Sequence, residues 1–230
     1  MIRTKLEKTA LLLILVLARP AAAQEQAAIT VMPFVGLYLP TADLVSDQIV
    51  PEPAPLQIET INMEQRTGLA LGLRAGRSLS NRVYVELEIL YASSEIKLSG
   101  TRREPADQPT STLSARVLGL GANALLEVFR APFTPFAIHL LGGLGLVSRG
   151  GEFFDEGGGV GDAFFGSLDG GTALALILGT GFRYGLSPKT SIRLDLRDYI
   201  SSYAQSLPGG QLDAELQNDF WVSGGVELTL

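Results

Sequence analysis

The segment SIRLDLRDYI, residues 191–200, most constrains what this chain can fold into. Arg193, Asp195 and Arg197 occupy one parity of the segment, and the intervening positions are aliphatic. Successive side chains of a β-strand point to opposite faces. The segment therefore predicts a strand with one ionised face and one aliphatic face.

The same two-residue period recurs along the chain, interrupted by turn residues. In most of these segments one face is aliphatic and the other combines glycine with ionised residues. The alternation predicts an all-β protein with eight strands, at residues 28–39, 66–78, 82–98, 112–128, 135–148, 172–186, 190–203 and 219–230.

The connections between these strands are alternately long and short. The long connections are 40–65, 99–111, 149–171 and 204–218, and the short ones are 79–81, 129–134 and 187–189. An even number of antiparallel strands, with tight turns at one end and long loops at the other, is the plan of outer-membrane barrels. We therefore expect a closed up-and-down antiparallel barrel, with both termini on the side of the short turns.

The glycines favour one of two ways of orienting the faces. A lipocalin-type soluble barrel would turn the aliphatic face inward and the other face to water. Glycine weakens an exposed strand face, yet the chain has 26 glycines, and several alternate with large aliphatic residues, as in GLALGLRAG at 68–76. A narrow eight-stranded lumen needs such small residues beside long ones. The pattern therefore favours a membrane barrel with a polar, side-chain-filled lumen.

Arginines and carboxylates on the predicted inner face are nearly balanced in number. Isolated buried charges are costly, whereas paired and hydrogen-bonded ones are tolerated. We expect Glu86 or Glu88 to reach Arg193 or Arg197. The predicted structural network comprises Arg74, Glu86, Glu88, Glu127, Arg183, Arg193, Asp195, Arg197 and Glu227.

The first 23 residues have the pattern of a secretory signal peptide. A basic start precedes the short apolar core at 10–18 and the small residues at 21–23, so we expect cleavage after Ala23 and a barrel domain at 24–230. The apolar core is far shorter than the roughly 20 residues that a spanning helix needs. The pattern predicts an exported protein.

Charge and cysteine content exclude some classes of function. Residues 1–23 carry four basic residues and one acidic residue of the chain's 18 and 24, so the mature chain has 14 basic and 23 acidic residues, a net charge of −9 with histidine neutral. Nucleic acid would be repelled by this charge. The chain has no cysteine and therefore no disulfide or thiolate site. We expect no metal and no cofactor.

The eight-strand plan, the opening ITVMPFVGLYLP at 29–40, the charged RLDLRD at 193–198 and the chain end resemble the small outer-membrane barrels of the opacity-protein and outer-membrane-protein-A transmembrane type. The end, SGGVELTL, resembles that family's recognition signal for the barrel-assembly machinery, through Ser223, Gly225, Leu228 and Leu230. The family usually ends in an aromatic residue, and Leu230 departs from this. The resemblance implies a bacterial outer membrane, contact with its lipid and lipopolysaccharide, periplasmic termini and extracellular long loops.

Some barrels of this size are enzymes that modify lipid A, and His139 tests that possibility. The barrel deacylases have a serine two residues after the histidine, on the same face of the strand, and this chain has Leu141 there. A catalytic base must lie within hydrogen-bond reach of its nucleophile. We therefore interpret His139 as a residue that fills the lumen, and expect no catalysis.

Four aromatic residues in the third long connection could close the barrel mouth or contact a partner. They are Phe153, Phe154, Phe164 and Phe165. We expect a monomeric barrel with a structural or surface-interaction role through its long loops, whose ligand the sequence does not identify. A narrow porin-like channel is the alternative, and a lipid A-modifying enzyme is a distant third.

Overall fold

The computed structural model describes residues 28–41, 45–49, 58–102, 110–151, 171–203, 206–207, 210–211 and 215–230. Within these ranges the chain forms strands, turns and bends, and no helix. Accordingly, the described residues include no helix with the length and hydropathy to cross a membrane.

Twelve strands are present in the described part of the chain. They are β1 (Ile29–Pro40), β2 (Val45–Ile49), β3 (Ile58–Gln65), β4 (Gly68–Ser78), β5 (Val83–Arg102), β6 (Thr110–Arg130), β7 (Phe136–Gly150), β8 (Thr172–Ser187), β9 (Thr190–Tyr203), β10 (Ser206–Leu207), β11 (Gly210–Gln211) and β12 (Glu215–Thr229).

Antiparallel pairing closes these strands into a barrel. The first strand pairs with β4 on one side and with β12 on the other, and each following neighbour pairs in turn through β9, β8, β7, β6 and β5. Because β3 and β4 both pair with β5, they lie end to end at one position in the barrel wall. We call each such position a stave, whether one strand or two fill it. The barrel therefore has eight staves, which confirms the predicted closed eight-stranded antiparallel fold.

A bulge between β3 and β4 explains why the predicted second strand is too short. Gln65 pairs with Ile96 and Leu69 pairs with Ser93, so this stave advances four residues while β5 advances three. Such an extra residue reverses which parity faces inward: Gln65 is buried on one side of the bulge and Ala70 on the other. The predicted strand 66–78 corresponds to β4, but the prediction leaves out β3, because the alternation changes phase at the bulge while the pairing with β5 continues.

Other strands also extend into residues that the hydropathy alternation assigned to long connections. Pairing of β5 with β6 reaches Ser99 and Thr110, and β12 begins at Glu215. Two small hairpins, β2–β3 and β10–β11, lie within the predicted connections 40–65 and 204–218. These extensions lack a continuous aliphatic face, so hydropathy alternation did not reveal them, although their backbone pairing is regular.

The short connections, at 79–82, 131–135 and 188–189, lie at one end of the barrel. The termini of the described chain are at the same end, where Leu230 donates its backbone N–H to the carbonyl of Ile29 at 2.9 Å. The predicted alternation of short and long connections is therefore present, with boundaries displaced by a few residues.

Large aliphatic residues cover the outside of the barrel, and the inside combines glycines and ionised side chains with buried apolar ones such as Leu90, Ile177 and Trp221. On β9, Leu194 and Leu196 are exposed while Arg193 and Arg197 are buried. Close approach inside the lumen requires Gly121, where a Cβ would lie 2.8 Å from Ile177 Cδ1 and 3.0 Å from the Tyr199 hydroxyl. The faces are therefore arranged as in a membrane barrel and opposite to those of a lipocalin-type barrel.

Candidate functional site

The candidate site is a cluster of charged side chains halfway along the lumen. All nine residues of the network predicted from the sequence lie on the inner face, and eight of them are buried, with Arg183 half-buried. The alternation along β4, β5, β6, β8, β9 and β12 positions them, because a strand in a closed barrel must direct one parity inward.

Contacts of Arg197 cross the full width of the lumen. Strands β5 and β9 are four staves apart in the ring of eight, and are therefore opposite each other. Arg197 donates from Nη2 to Glu86 Oε1 at 2.7 Å and from Nη1 to Glu88 Oε1 at 3.1 Å. These bonds connect the two walls across the barrel axis.

Arg74 adds a side chain from a third stave, that of β4, to the cluster. Its Nη1 donates to Asp195 Oδ2 at 2.6 Å and its Nη2 donates to the Ser223 hydroxyl at 2.9 Å. Its Nε donates to Glu88, and its guanidinium lies 3.9 Å from the centre of the Phe34 ring. Arg74 is therefore held by groups from four other staves.

Arg193 completes the central cluster. Its Nη1 lies 2.5 Å from Glu86 Oε2 and 3.3 Å from Glu227 Oε2, and its Nε lies 3.0 Å from Asp195 Oδ2. The central cluster, which we define as Arg74, Glu86, Glu88, Arg193, Asp195 and Arg197, thus has three cations and three anions. These side chains meet in the middle of the lumen and neutralise one another.

Glu127 and Arg183 lie closer to the short-turn end, outside the central cluster. Glu127 accepts from Arg130 Nε at 2.6 Å and Nη2 at 2.8 Å. Arg183 Nε lies 2.9 Å from Glu227 Oε1, and its Nη2 donates to Glu227 Oε2 at 3.0 Å. Arg130 was not predicted as part of the network, because residues 129–134 were assigned to a turn, whereas β6 continues to Arg130.

His139 contacts the central cluster through its imidazole. Its Nε2 lies 2.8 Å from Asp195 Oδ1, and Leu141 is buried on the same face of β7. Among the described residues, the only hydroxyl bonded to His139 is that of Thr180, which donates to the backbone carbonyl at 3.0 Å. A histidine–acid pair is thus present without a hydroxyl nucleophile bonded to its imidazole. The same ranges contain no group of three or more His, Cys, Asp or Glu arranged to hold a metal.

A second polar layer, absent from the sequence-based prediction, lies nearer the long connections. Asp219 Oδ1 accepts from the Tyr38 hydroxyl at 2.6 Å, and Asp219 Oδ2 accepts from Arg149 Nη2 at 2.5 Å. The Trp221 ring packs against Tyr38, with ring centres 4.7 Å apart. The inward parity of Asp219 was a usable signal, since it is shared with Ser223, but the predicted strand began at this residue. Arg149 was missed because the predicted strand ended at residue 148 and left Arg149 in a connection, whereas β7 continues to Gly150.

The chain-end residues have separate structural positions. Ser223 faces the lumen, where it accepts from Arg74, and a Cβ at Gly225 would lie 2.9 Å from Met32 Cε. Leu228 and Leu230 are exposed on the outer face. The four loop aromatics, Phe153, Phe154, Phe164 and Phe165, lie outside the described residues, as does the signal-peptide segment 1–23.

Comparison with solved structures identifies the same architecture. The fold is similar to the crystal structure of the outer membrane protein OprG from Pseudomonas aeruginosa, with a TM-score of 0.64 and 12% identity over 90% of this chain and 98% of that chain. It is also similar to the outer membrane protein AlkL in lipid bilayers, with a TM-score of 0.50 and 13% identity over 92% and 94% of the two chains. At these identities the similarity concerns the fold alone.

Comparison at the level of sequence gives one positive and one negative result. No curated protein matches the chain. A family model described as the outer membrane protein beta-barrel domain matches residues 9–224, which is most of the chain. The protein therefore belongs to the outer-membrane β-barrel family.

Proposed function

We propose that this protein is a closed, non-catalytic outer-membrane barrel that acts as a structural support for surface interactions through its long connections. The observation that carries the proposal is the central cluster, whose six side chains occupy the lumen from opposite walls. A barrel closed in this way is suited to presenting loops rather than passing solutes.

The energetics of the central cluster favour the closed state. Removing one partner of a buried ion pair typically costs about 3–5 kcal/mol, because it leaves an uncompensated buried charge. Each arginine of the central cluster contacts at least two of its carboxylates. Opening an axial path requires several of these contacts to be lost together, which supports a lumen that is closed at rest.

In this proposal the short turns and both termini face the periplasm, and the four long connections face the exterior. Outer-membrane barrels generally have this orientation. The proposed partners are outer-membrane lipid and lipopolysaccharide, the barrel-assembly machinery during biogenesis, and a surface ligand at the long connections. The four aromatic residues of connection 152–170 are the proposed contact patch for that ligand, and the barrel acts as a monomer.

The experiment combines a conductance measurement with a surface-binding assay. We expect purified protein in planar bilayers to give no stepwise conductance, because the central cluster closes the lumen. On cells, we expect replacement of residues 152–170 by a short Gly-Ser linker to reduce adhesion or ligand capture, while the boiled and unboiled protein still migrate differently on SDS gels. Unchanged adhesion after replacement of each of the four long connections in turn would contradict the proposal.

A narrow channel is the second candidate function, because the described part of the lumen is closed by side chains alone. No strand or turn among the described residues crosses the lumen, so rearranged ion pairs could open a path. Reproducible conductance that is abolished by Arg197→Met, in samples whose unboiled protein keeps the shifted mobility of a folded barrel on SDS gels, would support the channel and overturn the closed-barrel proposal. The lipid A enzyme is tested separately, by lipid A mass spectra from cells with and without the protein, which we expect to be identical.

A further inference from the structure

A pocket of about 240 Å³ opens at the short-turn end of the barrel, between β6, β7, β8 and β9. It lies outside the central cluster and has no part in the proposed function. One side of it is polar, and the other is formed by the turn at 131–135 and the start of β7. Its polar lining residues are Glu127, Arg130, Thr134, Arg183 and Ser191.

The lining of this pocket carries an excess positive charge. Arg130 and Arg183 contribute two guanidinium groups, and Glu127 contributes the single carboxylate. Glu127 pairs with Arg130, and Arg183 pairs with Glu227, which is outside the lining and is shared with Arg193 at 3.3 Å. An anion is therefore the ligand that this lining favours.

Both guanidinium groups retain donors after their ion pairs are made. Arg130 uses Nε and Nη2 to bind Glu127, and Arg183 uses the same two atoms towards Glu227. A guanidinium has five N–H donors in a planar fork that matches a carboxylate. Arg130 also hydrogen-bonds Tyr84, so it makes three of its five donor contacts, and Arg183 makes two. Each arginine therefore keeps donors for a second acceptor, while its carboxylate partner fixes its position.

The opposite wall of the pocket is apolar and is held in place by backbone bonds. It contains Ala131, Pro135, Phe136 and Ala137. Ala131 donates its N–H to the carbonyl of Phe136 at 2.9 Å, and Gly185 donates to the carbonyl of Pro135 at 2.8 Å. The Phe136 ring also stacks on Phe182, which is not part of the lining, with ring centres 6.0 Å apart. The turn is therefore fixed before a ligand arrives, which reduces the cost of binding.

We propose that this pocket binds a small monocarboxylate with an apolar group. The carboxylate would accept from Arg130 and Arg183, and the apolar group would pack against the turn at 131–135. Pockets for drug-sized ligands measure about 300–1,000 Å³, so this one suits a ligand of roughly the size of a substituted ring. The inference does not depend on whether the barrel conducts or on what the long connections bind.

The test uses the full mature chain, labelled with ¹⁵N, in lipid nanodiscs, with benzoate as the probe and benzamide as its uncharged counterpart. Benzoate is expected to shift the backbone amide signals of the turn at 131–135 in a saturable way, with an affinity on the order of millimolar. Benzamide is expected to produce no saturable shift at the same concentration. Equal shifts with both probes would overturn the proposal, because the pocket would then not recognise the anion.

Arg130→Gln removes one guanidinium of the pocket, and Arg82→Gln is its matched control. Arg82 is exposed in a different short turn at the same end of the barrel and is outside the lining. Loss of a hydrogen bond to a charged group corresponds to at least about tenfold in affinity. We expect that weakening for Arg130→Gln and none for Arg82→Gln. Equal weakening in both variants would show general charge attraction and would overturn the proposal.

Thr134→Trp tests the location without changing any charge. Thr134 is in the exposed turn, so a larger side chain there can fill the pocket while the strands keep their pairing. We expect benzoate shifts to disappear while the unboiled protein keeps its shifted mobility on SDS gels. If this variant binds benzoate as tightly as the parent protein does, the carboxylate site lies elsewhere and the proposal is wrong.

Discussion

Arg197 Nη2 lies 2.7 Å from Glu86 Oε1, although the two residues are 111 positions apart in sequence and belong to opposite walls of the barrel. This contact crosses the lumen axis, so it depends on closure of the whole barrel rather than on any pair of neighbouring strands. It also explains why the charged strand at 191–200 is compatible with a membrane protein: Arg193, Asp195 and Arg197 are neutralised inside the lumen and the leucines face outward. Asp198 has the outer parity, where it is half-buried and accepts from Asn218 Nδ2 at 3.3 Å.

Arg197→Met should strongly destabilise the barrel. The substitution keeps much of the side-chain volume but leaves Glu86 and Glu88 with one cation fewer, and breaking a buried pair in this way typically costs about 3–5 kcal/mol. The free energy of unfolding in urea, with the barrel in lipid vesicles, measures the effect.

The matched control for Arg197→Met is Arg66→Met. Arg66 Nη1 lies 3.8 Å from Glu95 Oε2 at the surface, with the two side chains 48% and 58% exposed. Exposed pairs contribute at most about 1 kcal/mol, so this variant should unfold nearly as the parent does. A similar loss in both variants would mean that the central cluster does not stabilise the barrel more than surface pairs do.

Tyr38→Phe should destabilise the second polar layer. It removes only the hydroxyl that donates to Asp219 Oδ1, and hydrogen bonds to charged groups contribute about 1.5–3 kcal/mol. Tyr91→Phe is the control, because Tyr91 is exposed on the outer face of β5. The same unfolding assay should separate the two variants, and the prediction fails if they lose equal stability.

Gly121→Val should impair folding through overcrowding of the lumen. Its new Cβ would meet Ile177 Cδ1 at 2.8 Å and the Tyr199 hydroxyl at 3.0 Å, and overpacking costs about 1–3 kcal/mol. At Gly142 a Cβ would approach no atom closer than 3.9 Å, so Gly142→Val should be tolerated. The folded fraction on unboiled SDS gels gives the readout, and a fully folded Gly121→Val protein would contradict the packing argument.

Leu144→Arg should cost more stability than Leu216→Arg. Both leucines are exposed on the outer face, but Leu144 is near the middle of β7 and Leu216 is beside the start of β12, at the end with the long connections. An arginine on the lipid face costs about 2–4 kcal/mol at the bilayer midplane and about 0–1 near the interfaces. Equal losses in lipid vesicles would show that Leu144 does not face the hydrocarbon.

Alternation was enough to assign the inner residues where the opposite face of a regular strand is aliphatic. Asp195 and Glu88 were identified because every second residue around them is aliphatic, and in a regular strand that parity must face one side. Gln65 was not identified, because the bulge after it reverses the parity. Local pattern cannot reveal such a reversal when both faces of the segment are polar.

Local periodicity and turn residues are enough to predict the number of staves, the alternation of long and short connections, and the aliphatic face of most strands. They do not predict which arginine meets which carboxylate. Arg74 reaches Ser223, and Asp219 receives both Tyr38 and Arg149, because barrel closure and strand register bring distant inner residues to the same height. Those contacts depend on geometry across the lumen, which no single strand encodes.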